Sequence, residues 1–337
     1  MQEWQNPSSS EAPKWKQPIL GFFHSINYDE RLIDPAHLMR FYRTYLFTAM
    51  LIQPLLCWGI DLLPNDIVAP LPDKNYVKVG YYGTQNNTYF KNGSVVSSAP
   101  YASPVIENPN ANLRLVRSYA IGDLPGISYI QLPYGTIKPQ GSLSAYPGTT
   151  GFGDVGLASA IWPYSNRETR TYLGIAGYLI LPTGSYSSTQ TLTMGGNRYI
   201  SDLQVGFQKP IIENLEGMIA VDTMFFGGNS QCATACLSAT NVSLTQKPLT
   251  TVQLGPVYAI NHTYTVGASY IYVAGGATLV NNAYQNNVIN TQRFLLSGIA
   301  YTDLGRFTLQ YGRDMEIKNG FIQVFFSLID GIAMDQG

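Results

Sequence analysis

Charge is scarce in this 337-residue chain: Asp, Glu, Lys and Arg together make up 12% of it, and the formal net charge is -1. A soluble protein of this size would carry more charge on its outer faces, and the near-neutral balance gives no electrostatic footprint for nucleic acid. Histidine is scarcer still, with 3 residues; His24 and His37 lie near the N-terminus and His262 falls in a short turn. That leaves no nucleophile-base pair and no metal-ligand cluster, so no catalytic residue, cofactor or metal is expected. The 3 cysteines, Cys57, Cys232 and Cys236, are too few for a disulfide scaffold. After Asn75 no apolar run approaches the roughly 18 residues of a membrane-spanning helix.

What the chain has instead is glycine (32 residues), tyrosine (24 residues) and a rhythm. From Asn75 onward, segments of roughly ten residues alternate apolar with small or polar side chains, separated by connections that alternate long and short. Strands are expected at 75–83, 111–121, 127–134, 152–162, 170–181, 199–209, 218–227, 249–260, 263–274, 292–301, 306–314 and 321–329. Long loops at 84–110, 135–150, 182–198, 228–247 and 275–290 all fall on one side, and short turns such as Asn261-His262 fall on the other. About twelve strands with this asymmetry fit an all-β, antiparallel up-and-down transmembrane barrel, with long extracellular loops and short periplasmic turns. A soluble all-β fold of similar size would need to protect its sheet edges, whereas closure in a membrane removes them.

The N-terminal part reads differently. Met39-Arg40-Phe41-Tyr42-Arg43 supplies two positive charges, 45–56 is apolar, and Cys57-Trp58-Gly59 places small residues at the -3 and -1 positions. This is the order of a signal peptide over 39–59, cleaved after Gly59. The competing readings are a short buried helix, opposed by Pro54, and a lipoprotein acylated on Cys57, opposed by Leu56 before it. Residues 1–38 conform to neither and read as sequence upstream of the true start. Residues 60–74 are expected as a periplasmic linker, 75–329 as the barrel, and 330–337 as a C-terminal tail.

Strand parity assigns faces. Val77, Val79 and Tyr81 share one face, as do Ile322, Val324, Phe326 and Leu328; Gln323 and Ser327 take the other. The same phase points Lys78, Arg114, Asp154, Asp202, Gln204, Gln208, Asp222, Gln253, Thr308, Gln310 and Asp314 into the lumen, together with the aromatic Tyr82 and Trp162. Carboxylates are costly in lipid and tolerable in a wet interior. They form either a polar constriction that selects solutes or a network that holds the wall together. The phase of Arg293 is not decided by the pattern. In the 228–247 loop, Cys232 and Cys236 are spaced for a clip in an exported protein, and no further ligand is near for a metal. Gly151-Phe152-Gly153-Asp154-Val155-Gly156 matches a dinucleotide-binding string, but it opens a strand instead of joining a strand to a helix.

Gly153-Asp154, the Leu181-Pro182-Thr183-Gly184 end of a strand and Met194-Gly195-Gly196-Asn197-Arg198 before the next stand in the order and spacing of a known family. The chain resembles the "MetA-pathway of phenol degradation" proteins from about Asp61 to Leu328, and its opening through Pro70-Leu71-Pro72-Asp73-Lys74-Asn75 is also similar. The resemblance implies a bacterial outer-membrane barrel that admits small hydrophobic or aromatic molecules. Outer-membrane lipid, lipopolysaccharide and, during insertion, the barrel-assembly machinery are its expected partners. The reading from a different class is a structural or adhesion barrel acting through its long surface loops.

Overall fold

The computed structural model describes residues 61–232, 236 and 241–334. The signal peptide expected over 39–59, its cleavage site, Cys57 and the upstream residues 1–38 lie outside the described residues. No helix occurs among the described residues, and none is long and apolar enough to cross a membrane.

Twelve strands form one antiparallel ring: β1 (Asn75–Lys91), β2 (Pro104–Ile121), β3 (Leu124–Gly141), β4 (Val155–Asn166), β5 (Thr171–Leu181), β6 (Ile200–Ile212), β7 (Leu215–Phe226), β8 (Leu249–Ala259), β9 (Tyr264–Gly275), β10 (Ile289–Thr302), β11 (Gly305–Ile317) and β12 (Gly320–Met334). Each strand pairs with its neighbours in sequence, and β12 pairs with β1 from Asn75↔Met334 to Phe90↔Gly320, which closes the sheet. Closure leaves no unpaired edge, the condition for strands to sit in hydrocarbon. The connections β2–β3, β6–β7 and β10–β11 are two-residue turns, whereas those on the opposite side include 182–199 and 227–248.

The outward face supplies the lipid belt. Val79, Leu113, Leu115, Leu203, Val205, Val221, Leu254, Leu309, Phe326 and Leu328 are exposed. Aromatics flank them, with Tyr134, Phe152, Phe225 and Tyr311 toward the long-loop side and Tyr164, Tyr258 and Tyr264 toward the turns. That is the girdle arrangement of a transmembrane barrel. Tyr134 and Phe152 meet edge-on across adjacent segments at 5.1 Å. Val205 lies mid-strand, between Ile175 and Val221 on the neighbouring strands. The Val205→Arg variant should therefore lose about 2 to 4 kcal/mol of folding stability in lipid vesicles, measurable by urea unfolding. An unaltered unfolding midpoint would place this face outside the hydrocarbon.

Three boundaries differ from the sequence reading. The first three strands run 17, 18 and 18 residues, so most of the 84–110 stretch expected as loop is strand standing above the membrane. β12 continues through the expected tail to Met334, with Asp330 opposite Val79 and Phe307. The expected linker does not hang below the barrel. Residues 61–70 are packed inside it, with Ile67 and Ala69 buried against Trp162, Tyr172, Met218 and Val257.

Candidate functional site

The lumen has three levels. At the turn side, residues 61–70 form a plug anchored to the wall by contacts very remote in sequence. The Gln253 side chain accepts from the Leu62 amide and donates to its carbonyl, both at 2.8 Å. Arg306 donates to Asp66 at 2.9 Å and to the Pro64 carbonyl at 2.8 Å. Trp162 Nε1 donates to the Ile67 carbonyl at 2.6 Å, and Arg167 to the Ala69 carbonyl at 2.9 Å. Gln208 donates to the side chain of Asn65 at 3.0 Å. Trp162 thus faces inward as expected, yet it packs on the plug.

At the loop side the lumen is capped. Tyr89, Tyr101, Ile106, Ile137, Leu143, Leu192, Met194 and Phe321 form a buried apolar cluster drawn from three loops and the extended ends of four strands. The rings of Tyr89 and Tyr101 lie 4.7 Å apart, and burial pushes both phenols well above their ordinary range. Beside it the 228–247 loop is pinned by the Cys232–Cys236 disulfide and by a small sheet of Leu244–Gln246, Thr278–Val280 and Ala283–Tyr284.

Asp154 organises the cap. Its Oδ1 accepts from the Gly184 amide at 2.8 Å and its Oδ2 from the Gly196 amide at 2.7 Å. Thr183 Oγ1 accepts from the Val155 amide at 2.9 Å. A Cβ on Gly184 would come 2.7 Å from the Gly153 carbonyl carbon and 2.8 Å from the Gly195 Cα, so these chains cross at a distance only glycine permits. Pro182 directs the chain into this crossing. Burial raises the Asp154 carboxyl above its usual range, while the amides and the Arg198 guanidinium pull the other way. Arg198 is itself buried, stacked over Phe226 at 4.8 Å and bonded to Gln246 at 2.6 Å; burial draws it down to about 10, so it remains protonated at neutral pH. The three sequence motifs, far apart in the chain, are therefore one carboxylate-centred knot. In Asp154→Asn, one amide faces an NH2 in place of an oxygen, at a cost of roughly 1 to 3 kcal/mol. The expected result is faster proteolysis within 182–198 with the barrel intact; unchanged protection would remove Asp154 from this role.

Between plug and cap lies a cavity of about 610 Å³. Lys78, Tyr82, Asn108, Asn110, Asn112, Arg114, Tyr129, Gln131, Tyr178, Gln204, Gln310 and Phe325 line it. Ile200 and Met224 also line it, and they pack in a buried apolar cluster with Leu249, Ile271 and Leu295. Tyr178 donates to Gln204 at 2.8 Å, and Arg114 stacks over Tyr129 at 4.3 Å while donating to Gln131 at 3.0 Å. Asp202 and Asp222 are buried on the inward face of β6 and β7 beside Gln204, with no ion pair among the described residues.

The wall itself is tied by a network whose centre the sequence left undecided. Arg293 points inward, bonding Asp314 at 2.7 Å, Gln323 at 2.8 Å and Asp61 at 3.4 Å. Asp314 also accepts from the Gln323 amide at 2.9 Å. Gln310 bridges Ser297 and Ser327. Asp61, Asp66 and Arg306 escaped the sequence reading. The nearest signal was charge in a chain with little of it.

A closed twelve-stranded ring with an apolar outer belt, a polar plugged lumen and a folded cap defines an outer-membrane β-barrel. Residues 114–328 match the family described as "Putative MetA-pathway of phenol degradation", and the chain belongs to that family. In fold it is similar to the COG4313 outer membrane channel from Pseudomonas putida F1, at 23% identity over 81% of this chain and 100% of that one, with a TM-score of 0.75. Similarity to the transport unit of the autotransporter AIDA-I from Escherichia coli is remote, at 8% identity over 87% of this chain and 97% of that one, with a TM-score of 0.46. Comparison with functionally curated proteins finds no match.

Proposed function

We propose that this protein is an outer-membrane channel for small hydrophobic or aromatic compounds, which cross by passive diffusion through the lumen. The observation that carries the reading is the cavity of about 610 Å³ between plug and cap. It falls in the size range of small-molecule sites, and it combines aromatic rings and an apolar patch with a few convergent polar groups. Tyr82, Tyr129, Tyr178 and Phe325 offer ring faces to a solute that gains by leaving water. Lys78, Arg114, Gln204 and Gln310 face the same space. Gln253 holds the plug and Asp314 ties the wall, while Asp202 and Asp222 are buried on the inward face beside Gln204. The name of the COG4313 outer membrane channel supports transport as the activity.

The outer belt meets outer-membrane lipid and lipopolysaccharide, and insertion uses the barrel-assembly machinery common to such folds. Toluene entry into liposomes carrying the purified protein should exceed entry into protein-free liposomes. Equal rates would sink the channel reading and leave the cap's surface loops as the functional part. Deletion within 228–247 should then abolish adhesion to a binding partner.

A further inference from the structure

Lys78 on β1 and Arg114 on β2 are direct cross-strand partners, and both project into the cavity. Like charges placed opposite one another on neighbouring strands repel, and a lumen of low dielectric strengthens the effect. The two side chains lean apart. The Lys78 stem crosses β12 at Gly331, 3.3 to 3.8 Å from where a Cβ would stand, while Arg114 reaches the other way to Gln131 on β3. Neither has a carboxylate within ion-pair distance among the described residues.

The carboxylates that share the lumen are engaged elsewhere. Asp66 is held by Arg306 at 2.9 Å and by the Leu63 amide at 3.1 Å. Asp61 is held by Arg293 at 3.4 Å. Asp154 accepts two backbone amides in the cap. Arg114 satisfies only a neutral amide, through Nε and Nη2, and Nη1 has no partner among the described residues. Lys78, Arg114 and Arg306 thus share the single carboxylate of Asp66, whose oxygens are already bonded to Arg306 and the Leu63 amide, and this excess of positive charge facing the cavity is costly to keep without a purpose.

The surroundings complete the site. Tyr129 forms the floor under the Arg114 guanidinium. Gly80, between Lys78 and Tyr82, lets the Tyr82 ring lie flat on the wall: a Cβ there would stand 2.8 Å from Cε2 of that ring. Charge and aromatic surface are therefore adjacent, within reach of one small molecule.

We propose that Lys78 and Arg114 form a headgroup site for a carboxylate carried on an apolar or aromatic body, so that the channel favours an organic acid over a neutral hydrocarbon. The proposal rests on the channel reading and deepens it. The carboxylate supplies the counter-charge the pair is short of, bonding Arg114 Nη1 within the field of Lys78, and the body lies against Tyr82 and Tyr129.

The test uses the full chain in lipid nanodiscs, titrated calorimetrically with benzoate, acetate and toluene, alongside uptake into liposomes. Benzoate should bind, acetate should bind at least about tenfold more weakly for want of a ring to stack, and a Lys78→Gln/Arg114→Gln variant should lose about tenfold or more of its benzoate affinity. Arg114→Lys, which keeps the charge, should retain most of the benzoate affinity if the variant barrel shifts normally on an unheated gel. Benzoate binding untouched by the double substitution overturns the proposal, as does equal affinity for acetate and benzoate. Toluene uptake without benzoate binding overturns it while leaving the channel reading standing. Failure of both toluene uptake and benzoate binding overturns the two together.

Discussion

Excision of residues 61–70 opens the barrel: the expected result is a several-fold rise in single-channel conductance in planar bilayers, together with new permeability to small hydrophilic solutes in liposome swelling. The plug is held by many separate contacts from Gln253, Arg306, Trp162, Arg167 and Gln208. Each such bond contributes only about 1 kcal/mol net, because its groups would otherwise bind water. A single substitution such as Arg306→Gln should therefore leave conductance close to wild type, whereas removal of the whole segment should not. The barrel should survive excision, since Asp66 leaves with the plug, Arg306 gains solvent, and the strand ladder that closes β1 on β12 lies outside the segment. Wild-type conductance after excision would mean that the cap, and not the plug, sets the barrier.

The second large effect is expected at Arg293. Its side chain and that of Asp314 are 4% and 2% exposed, and they meet at 2.7 Å. Removing one partner of a buried pair leaves the other charged and unpaired, which costs about 3 to 5 kcal/mol. Arg293→Met should lower the urea midpoint of the folded barrel by a corresponding amount, with Asp314 and Asp61 both left uncompensated. Arg293→Met/Asp314→Leu should recover much of the loss, because apolar replacement of a whole buried pair is often neutral or better. If the double variant is no more stable than the single, the pair is not what holds this part of the wall. Solute uptake by the restored barrel then separates the two roles the inward charges could play, since a wall network needs only stability and a selective constriction needs the charges themselves.

Charge scarcity makes each inward charged residue legible, and because strands alternate with a fixed period of two, parity assigns Lys78, Arg114, Asp202, Asp222 and Asp314 to the face on which they line the cavity or are buried. Arg293 resisted because Phe294-Leu295-Leu296 is apolar on both faces: Leu295 turns into the lumen and is 1% exposed, while Leu296 faces out at 51%. A one-residue bulge in the partner strand, opposite Gln292 and Arg293, hides the pairing with Asp314 as well. The tail was misread for a related reason, since Asp330-Gly331 looks like an end although both residues remain on the ladder.

The chain's own alternation determined the strand count, the antiparallel order, the lipid face and the side on which the loops fall, since lipid and lumen impose their pattern on every strand locally. Whether the lumen is open lay beyond that reach. The segment that plugs it bonds residues 95 to 242 positions away, and the glycines, Pro182 and Asp154 that build the cap meet only once the ring has closed. Local pattern encodes which solvent a residue faces, and tertiary closure alone decides which distant residue it meets there.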